Sequence, residues 1–281
     1  MIQYPLSENL SFGGMTEEIK TLVAGKPAPE KSLPELQAIL SLMDLTSLEG
    51  SDNPEKITAL CRKALSLGEK GLAFPAAVCI YPPFIALARK ILAGSPVKVA
   101  TTAAAFPSGQ MSLPVKLEEI RYAVGEGVDE VDVVISRGTF LAGDHQVVYD
   151  ELAAMRELTK EQTLKVILET GELQTPENIA RASELAIRAG ADFIKTSTGK
   201  ISPAATPESM WVMLRVIDAH FRATGKRVGI KPAGGIADPA QALIYYHLVS
   251  SLPGGAWLTP ALFRLGASRL ADRIVEKLTQ A

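Results

Sequence analysis

The chain has 281 residues, 47% of them hydrophobic, with 29 basic and 31 acidic side chains and a formal net charge of -2. That is enough apolar material for one large core, and so even a charge balance leaves no electrostatic basis for binding nucleic acid. Two cysteines, Cys61 and Cys79, are too few for a disulfide framework and fit a reducing, cytoplasmic setting.

The opening stretch MIQYPLSENLSFGG has no charged segment followed by an apolar run, so no secretory signal is expected. Two short helices are expected over 16–23 and 33–40, joined by GKPAPEKS. They form an N-terminal appendage, 1–35, ahead of a single catalytic domain, 36–281. The first strand of that domain is expected over 41–46. A helix over 54–67 follows Asp52 and Asn53, which are suitable N-caps, and stops at Gly68. Strands over 77–81 and 97–103 come next, with no helix assigned between them. A helix over 114–124 is closed by Gly125.

The fourth strand, 130–136, leads to a helix over 147–158 behind Asp144. The fifth strand, 164–169, leads to a helix over 176–189. Thr175 caps that helix, Pro176 opens it and Gly190 ends it. The sixth strand, 192–197, is followed by a helix over 207–224, with Thr206 before it and Gly225 after it. The seventh, 227–231, precedes a helix over 239–249 behind Asp238. The eighth, 262–266, precedes a closing helix over 268–278. The longest uncharged stretch, 239–263, contains Pro253, Gly254, Gly255 and Pro260, so no membrane-spanning helix is expected.

Eight β–α units in this length predict a (β/α)8 TIM barrel with a short N-terminal helical appendage. An open, doubly wound sheet is the rival, because alternation does not distinguish closed from open.

Side-chain parity then singles out a charged interior. Successive strand residues face opposite ways, and the helix-facing set should be apolar. Val131, Val133 and Ile135 oppose Glu130, Asp132 and Val134. Leu164, Val166 and Leu168 oppose Lys165, Ile167 and Glu169. By the same rule Asp44, Lys195 and Lys231 face inward. Five strands thus send Asp44, Asp132, Lys165, Lys195 and Lys231 into one space, mostly towards the strand ends where barrel enzymes build their sites. A structural ion-pair network is the competing reading of such a set.

A lysine attacks a carbonyl only when neutral, and desolvation or a second cation favours the neutral form. Lys195 and Lys231 on adjacent strands supply that arrangement, and an aspartate beside them can move protons. The pattern points to imine chemistry on a carbonyl substrate without metal or cofactor. The three histidines, His145, His220 and His247, are scattered on helical stretches and are expected in solvated or capping roles. Small-residue turns after strands six, seven and eight, at 197–200, 233–235 and 266–268, let backbone N–H groups approach an anion. A phosphorylated substrate is expected.

The motifs FIKTSTGK, KPAGG, LKVILETGEL, DEVDVVIS, MDLTSLEG and VCIYPPF together resemble the class I deoxyribose-phosphate aldolase family over about 40–275. The VISRG run after strand four resembles the branch that includes animal enzymes. The resemblance implies reversible cleavage of 2-deoxy-D-ribose 5-phosphate to acetaldehyde and D-glyceraldehyde 3-phosphate. It implies a Schiff base on Lys195, an amine whose pKa Lys231 depresses, and a proton relay through Asp132, Lys231 and a water. Lys165 and Asp44 would line the same pocket. Gly199, Lys200, Gly234, Gly235, Gly266 and Ser268 would surround the phosphate. Self-association, as a dimer or higher, is also implied.

Some positions depart from the family pattern. Arg269 follows Gly266-Ala267-Ser268 where many members have a hydroxyl residue. Ala104 and Ala105 stand where some relatives carry polar residues. The chain ends in LTQA, without the terminal tyrosine of some members. Cys79 matches a family position near the site and is expected as a buried, inert thiol. Two other functions stay open at this stage. One is the same chemistry with altered acceptor preference; the other is a non-catalytic barrel that binds sugar phosphates.

Overall fold

The computed structural model describes residues 3–280. The first two residues of the expected appendage and the last residue of the LTQA end lie outside the described residues. Eight strands form one sheet: β1 (Met43–Thr46), β2 (Ala77–Ile80), β3 (Lys98–Ala103), β4 (Glu130–Val134), β5 (Thr163–Ile167), β6 (Phe193–Lys195), β7 (Gly229–Lys231) and β8 (Leu265–Ala267). Each pairs in parallel with its chain neighbour from β1 to β7, and β8 pairs with β1. Single bridges Ile230–Phe263 and Ala233–Gly266 join β7 to the β8 segment. Arg264 N–H donates to the Ile230 carbonyl at 3.0 Å, and Gly266 N–H to that of Pro232 at 2.9 Å. The ring therefore closes. The open-sheet alternative is excluded and the fold is a (β/α)8 barrel.

Local sequence explains most of the surrounding helices. Asn53, Thr175, Thr206 and Asp238 each accept a backbone N–H of the first turn, and each is followed by proline. Such a cap contributes about 1 kcal/mol, and the proline occupies a position whose N–H would be unpartnered anyway. The helix-facing strand residues, among them Met43, Leu45, Val131, Val133, Leu164, Val166, Ile194 and Ile230, are buried. They share one core with Ile19, Leu36, Ile39 and Leu40 of the two N-terminal helices. The appendage helices Met15–Val23 and Leu33–Ser41 pack on helices Pro207–Thr224, Pro239–Ser250 and Leu270–Thr279.

Several element boundaries differ from expectation. The first barrel helix, Pro54–Glu69, runs through Gly68. A Cβ on Gly68 would lie 2.3 Å from the Phe74 ring, so this glycine serves close packing. The left-handed residue comes three positions later, at Gly71, φ 75°. A helix does lie between β2 and β3, at Ile85–Leu92, entered through a turn at Pro82–Phe84. Its two prolines sit in the entering turn, ahead of an apolar face of Ile85, Ala88 and Leu92 that is buried. The strands are shorter than their apolar runs. β6 and β7 end at Lys195 and Lys231 themselves, because the chain turns outward there into loops.

Candidate active site

The strands place the five expected charged residues together. Asp44, Asp132, Lys165, Lys195 and Lys231 are at most 2% exposed. Register explains the meeting: Asp132 lies beside Lys165, and Lys195 beside Lys231, on neighbouring strands with matching faces. Asp132 is the hub. Its Oδ2 accepts from Lys195 Nζ and from Lys231 Nζ at 2.8 Å each, and its Oδ1 accepts from Lys165 Nζ at 2.9 Å. Lys231 also donates to Asp44 Oδ2 at 2.5 Å.

Two members of this cluster are absent from the expected set. Arg264 Nη1 donates to Asp44 Oδ1 at 2.6 Å, and its Nη2 donates to Glu130 Oε1 at 2.7 Å. Glu130 Oε2 in turn accepts from Lys165 Nζ at 2.5 Å. Both were accessible to parity: Glu130 shares a face with Asp132, and Arg264 alternates with Phe263 and Leu265. The complete buried group has three carboxylates facing three lysines and one arginine.

Mutual neutralisation governs the charge states. Burial alone would push Asp132 up, but Lys165, Lys195 and Lys231 outweigh it and hold the carboxyl well below its usual range. Asp44 is likewise lowered, with Lys231 and Arg264 overriding burial. Glu130 is lowered by Lys165 and Arg264 against the same penalty. Burial would pull Lys231 down, yet Asp132 and Asp44 raise it above an ordinary lysine. Lys165 is raised by Asp132 and Glu130 in the same way. Lys231 and Lys165 are therefore fixed cations, each held by two carboxylates. Lys195 contacts a single carboxylate oxygen and shares it with Lys231.

Above the cluster opens a cavity of about 270 Å³. Lys195 reaches it; Asp44, Asp132, Lys165 and Lys231 lie beneath and do not line it. Gly199, Lys200, Gly234, Gly235, Gly266 and Ser268, the six expected phosphate residues, all line it, and so does Arg269. Lys200 also forms an ion pair with Glu49 at 3.0 Å. Gly234 is where the loops after β6 and β7 touch. A Cβ there would fall 2.8 Å from Gly199 Cα and 2.7 Å from Ala204 Cβ, and φ is 83°. Among the described residues, the N–H groups of Gly199, Gly234 and Gly235 donate to no protein acceptor. Unspent N–H groups on glycine turns are suited to an anion.

Other expectations fare differently. Cys79 is fully buried, and burial raises its thiol. His145 stacks on Phe140 at 4.5 Å. His247 is only 5% exposed, near Glu35, which corrects the expected solvated role: its helix turns that face onto the appendage.

A cavity floored by one amine above a paired set of charges, with a glycine rim, suits an enzyme acting on a carbonyl compound. Comparison with known proteins identifies the family. The DeoC/LacD family aldolase pattern matches residues 38–245. The chain belongs to that family. It is 44% identical to a human deoxyribose-phosphate aldolase over 252 residues, covering 85% of this chain and 79% of the relative. It is 42% identical to a putative deoxyribose-phosphate aldolase of Caenorhabditis elegans, covering 87% and 82%. A crystal structure of a putative deoxyribose-phosphate aldolase from Coccidioides immitis superposes with a TM-score of 0.75 at 27% identity, covering 97% and 99% of the two chains. The protein is thus an aldolase, a carbon–carbon lyase. No helix among the described residues of this aldolase is long and apolar enough to cross a membrane.

Proposed function

We propose that this aldolase reversibly cleaves 2-deoxy-D-ribose 5-phosphate to acetaldehyde and D-glyceraldehyde 3-phosphate through a Schiff base on Lys195. The observation carrying this reading is that Lys195 alone of the three clustered lysines lines the cavity. Lys165 and Lys231, each bound by two carboxylates, serve as fixed charges.

The neutral Lys195 amine adds to the aldehyde carbon of the open-chain sugar, and loss of water leaves a cationic imine. The imine draws electrons from the adjacent carbon–carbon bond. Removal of the hydroxyl proton at C3 lets the C2–C3 bond break, releasing D-glyceraldehyde 3-phosphate and leaving an enamine on Lys195. Protonation of the enamine carbon and hydrolysis release acetaldehyde and restore the amine. Asp132, at 2.8 Å from the Lys195 amine, is the acceptor through which protons pass between Lys195 and a water, while Lys231, at 2.8 Å from the same oxygen, stays charged beside it. The Gly199, Gly234 and Gly235 N–H groups, with Lys200 and Ser268, hold the phosphate, and Gly266, whose N–H is spent on Pro232, leaves room beside them.

Trapping tests the proposal. Acetaldehyde with borohydride should add one ethyl group to Lys195, identified by peptide mass, and Lys195→Leu should abolish both adduct and turnover. Full turnover in that variant rejects the mechanism, and absence of any adduct favours a binding barrel. Turnover should also be indifferent to chelator. Arg269 at the cavity wall supports a second reading, altered acceptor preference. Arg269→Ser should then change the ranking of acceptor aldehydes.

A further inference from the structure

Glu169 is a buried carboxylate that the proposed chemistry does not use. It lies two residues beyond β5 with φ 58° and ψ 61°, a left-handed backbone uncommon for a side chain of this kind. Such a conformation is strained and persists only where the surroundings fix it. The side chain is fully buried, and burial pushes the carboxyl up against the opposing pull of Thr198 and Arg137.

Its contacts lead to the cavity rim. Oε1 accepts the Thr198 N–H at 3.2 Å, and Oε2 accepts the Thr198 hydroxyl. Thr198 Oγ1 then accepts the Lys200 N–H at 3.1 Å. Behind the carboxylate, Arg137 Nη1 donates to Oε2 at 3.0 Å. Arg137 is held in turn by Glu172 at 2.6 Å and by the Pro107 carbonyl at 3.0 Å. The Thr198 N–H is thus consumed by Glu169 and the Lys200 N–H within the turn. The Gly199 N–H between them, at φ 78°, is left over.

We infer that Glu169 is a positioning residue for phosphate specificity. It fixes the 198–200 turn in the shape that reserves the Gly199 N–H for the substrate phosphate, while Arg137 cancels its charge. An uncompensated carboxylate behind that turn would repel the phosphate, so the arginine is as necessary as the glutamate. The inference rests on the phosphate-binding reading of the rim.

The test compares deoxyribose 5-phosphate with unphosphorylated deoxyribose and uses inorganic phosphate as a competitive inhibitor. Glu169→Gln, Thr198→Val and Arg137→Met should each raise KM for the phosphorylated sugar roughly tenfold, the size expected for a lost charge-assisted contact. Inhibition by inorganic phosphate should weaken in parallel. The kcat values and the kinetics of the unphosphorylated sugar should move far less, and acetaldehyde trapping on Lys195 should persist. Arg137→Lys, which keeps the charge, should restore most of the preference. A merely structural role would instead lower kcat on both sugars together. If Glu169→Gln does not fold, Arg137→Met and Thr198→Val decide, since both leave the carboxylate in place. Variants that fold by circular dichroism yet keep the wild-type preference overturn the inference. A wild type with no preference for the phosphorylated sugar rejects the phosphate reading itself.

Discussion

The floor of the cavity is built from side chains and its rim from backbone. On the floor, Asp44, Glu130, Asp132, Lys165, Lys195, Lys231 and Arg264 are nearly devoid of solvent contact, and nearly every charge is met by another. On the rim, Gly199, Gly234 and Gly235 leave N–H groups unspent. Isolated buried charges cost several kcal/mol each, so the floor must be satisfied internally before any substrate arrives. The rim is open to solvent and can leave donors for a ligand. Damage to the floor should therefore appear in stability and kcat, and damage to the rim in KM.

The sharpest way to break this contrast is at the hub. Asp132→Leu leaves Lys195 without a carboxylate and leaves Lys165 and Lys231 with one each, and loss of one partner from a buried network costs about 3–5 kcal/mol. The variant should lose activity and melt well below wild type in a thermal scan. An unchanged Tm would show that the floor is not a coupled unit. Lys195→Leu provides the counterpoint. Asp132 keeps Lys165 and Lys231, so catalysis should vanish while Tm stays within a few degrees of wild type.

Acid and base should act on the floor from opposite sides. Asp44, Glu130 and Asp132 are held below their ordinary carboxylate values. Their stabilisation is present above the unfolded carboxyl pKa, about 4, and is lost as pH falls through the depressed values. Lys165 and Lys231 are raised. Theirs is complete below the unfolded lysine pKa, about 10.4, and is lost as pH rises through the raised values. Urea unfolding across pH should show a plateau between those limits from this cluster. A maximum confined to one edge would contradict the pairing.

At the rim, Gly234→Ala must displace Gly199 or Ala204 and adopt a positive φ. KM for the phosphorylated sugar should rise roughly tenfold with kcat little altered, a strain of 1–3 kcal/mol being enough. The smallest effect is expected at a helix cap outside both regions. Thr206→Ala removes a reciprocal cap with Ser209 and should cost about 1 kcal/mol in urea unfolding without touching kinetics.

Much of this was legible in the sequence because it rests on local periodicity. Two-residue alternation around Asp132 and Lys165 fixed which side chains face inward, and Thr175, Thr206 and Asp238 marked helix starts by their own hydrogen-bonding chemistry. Local rules failed where a residue answers to a distant neighbour. Gly68 looks like a helix stop but makes room for Phe74. His247 looks solvated on its own helix but is covered by the appendage.

From the sequence alone came the number of strands, the inward charged set and the glycine turns, since each depends on residues close along the chain. Only the tertiary structure decided that the sheet closes on itself. It also decided that Arg264 pairs with both Asp44 and Glu130, and that Lys195 alone of the floor's lysines meets the cavity. Those facts depend on contacts between side chains far apart in the chain, such as Arg264 with Glu130. Strand register and closure set such distances, and no local pattern encodes them.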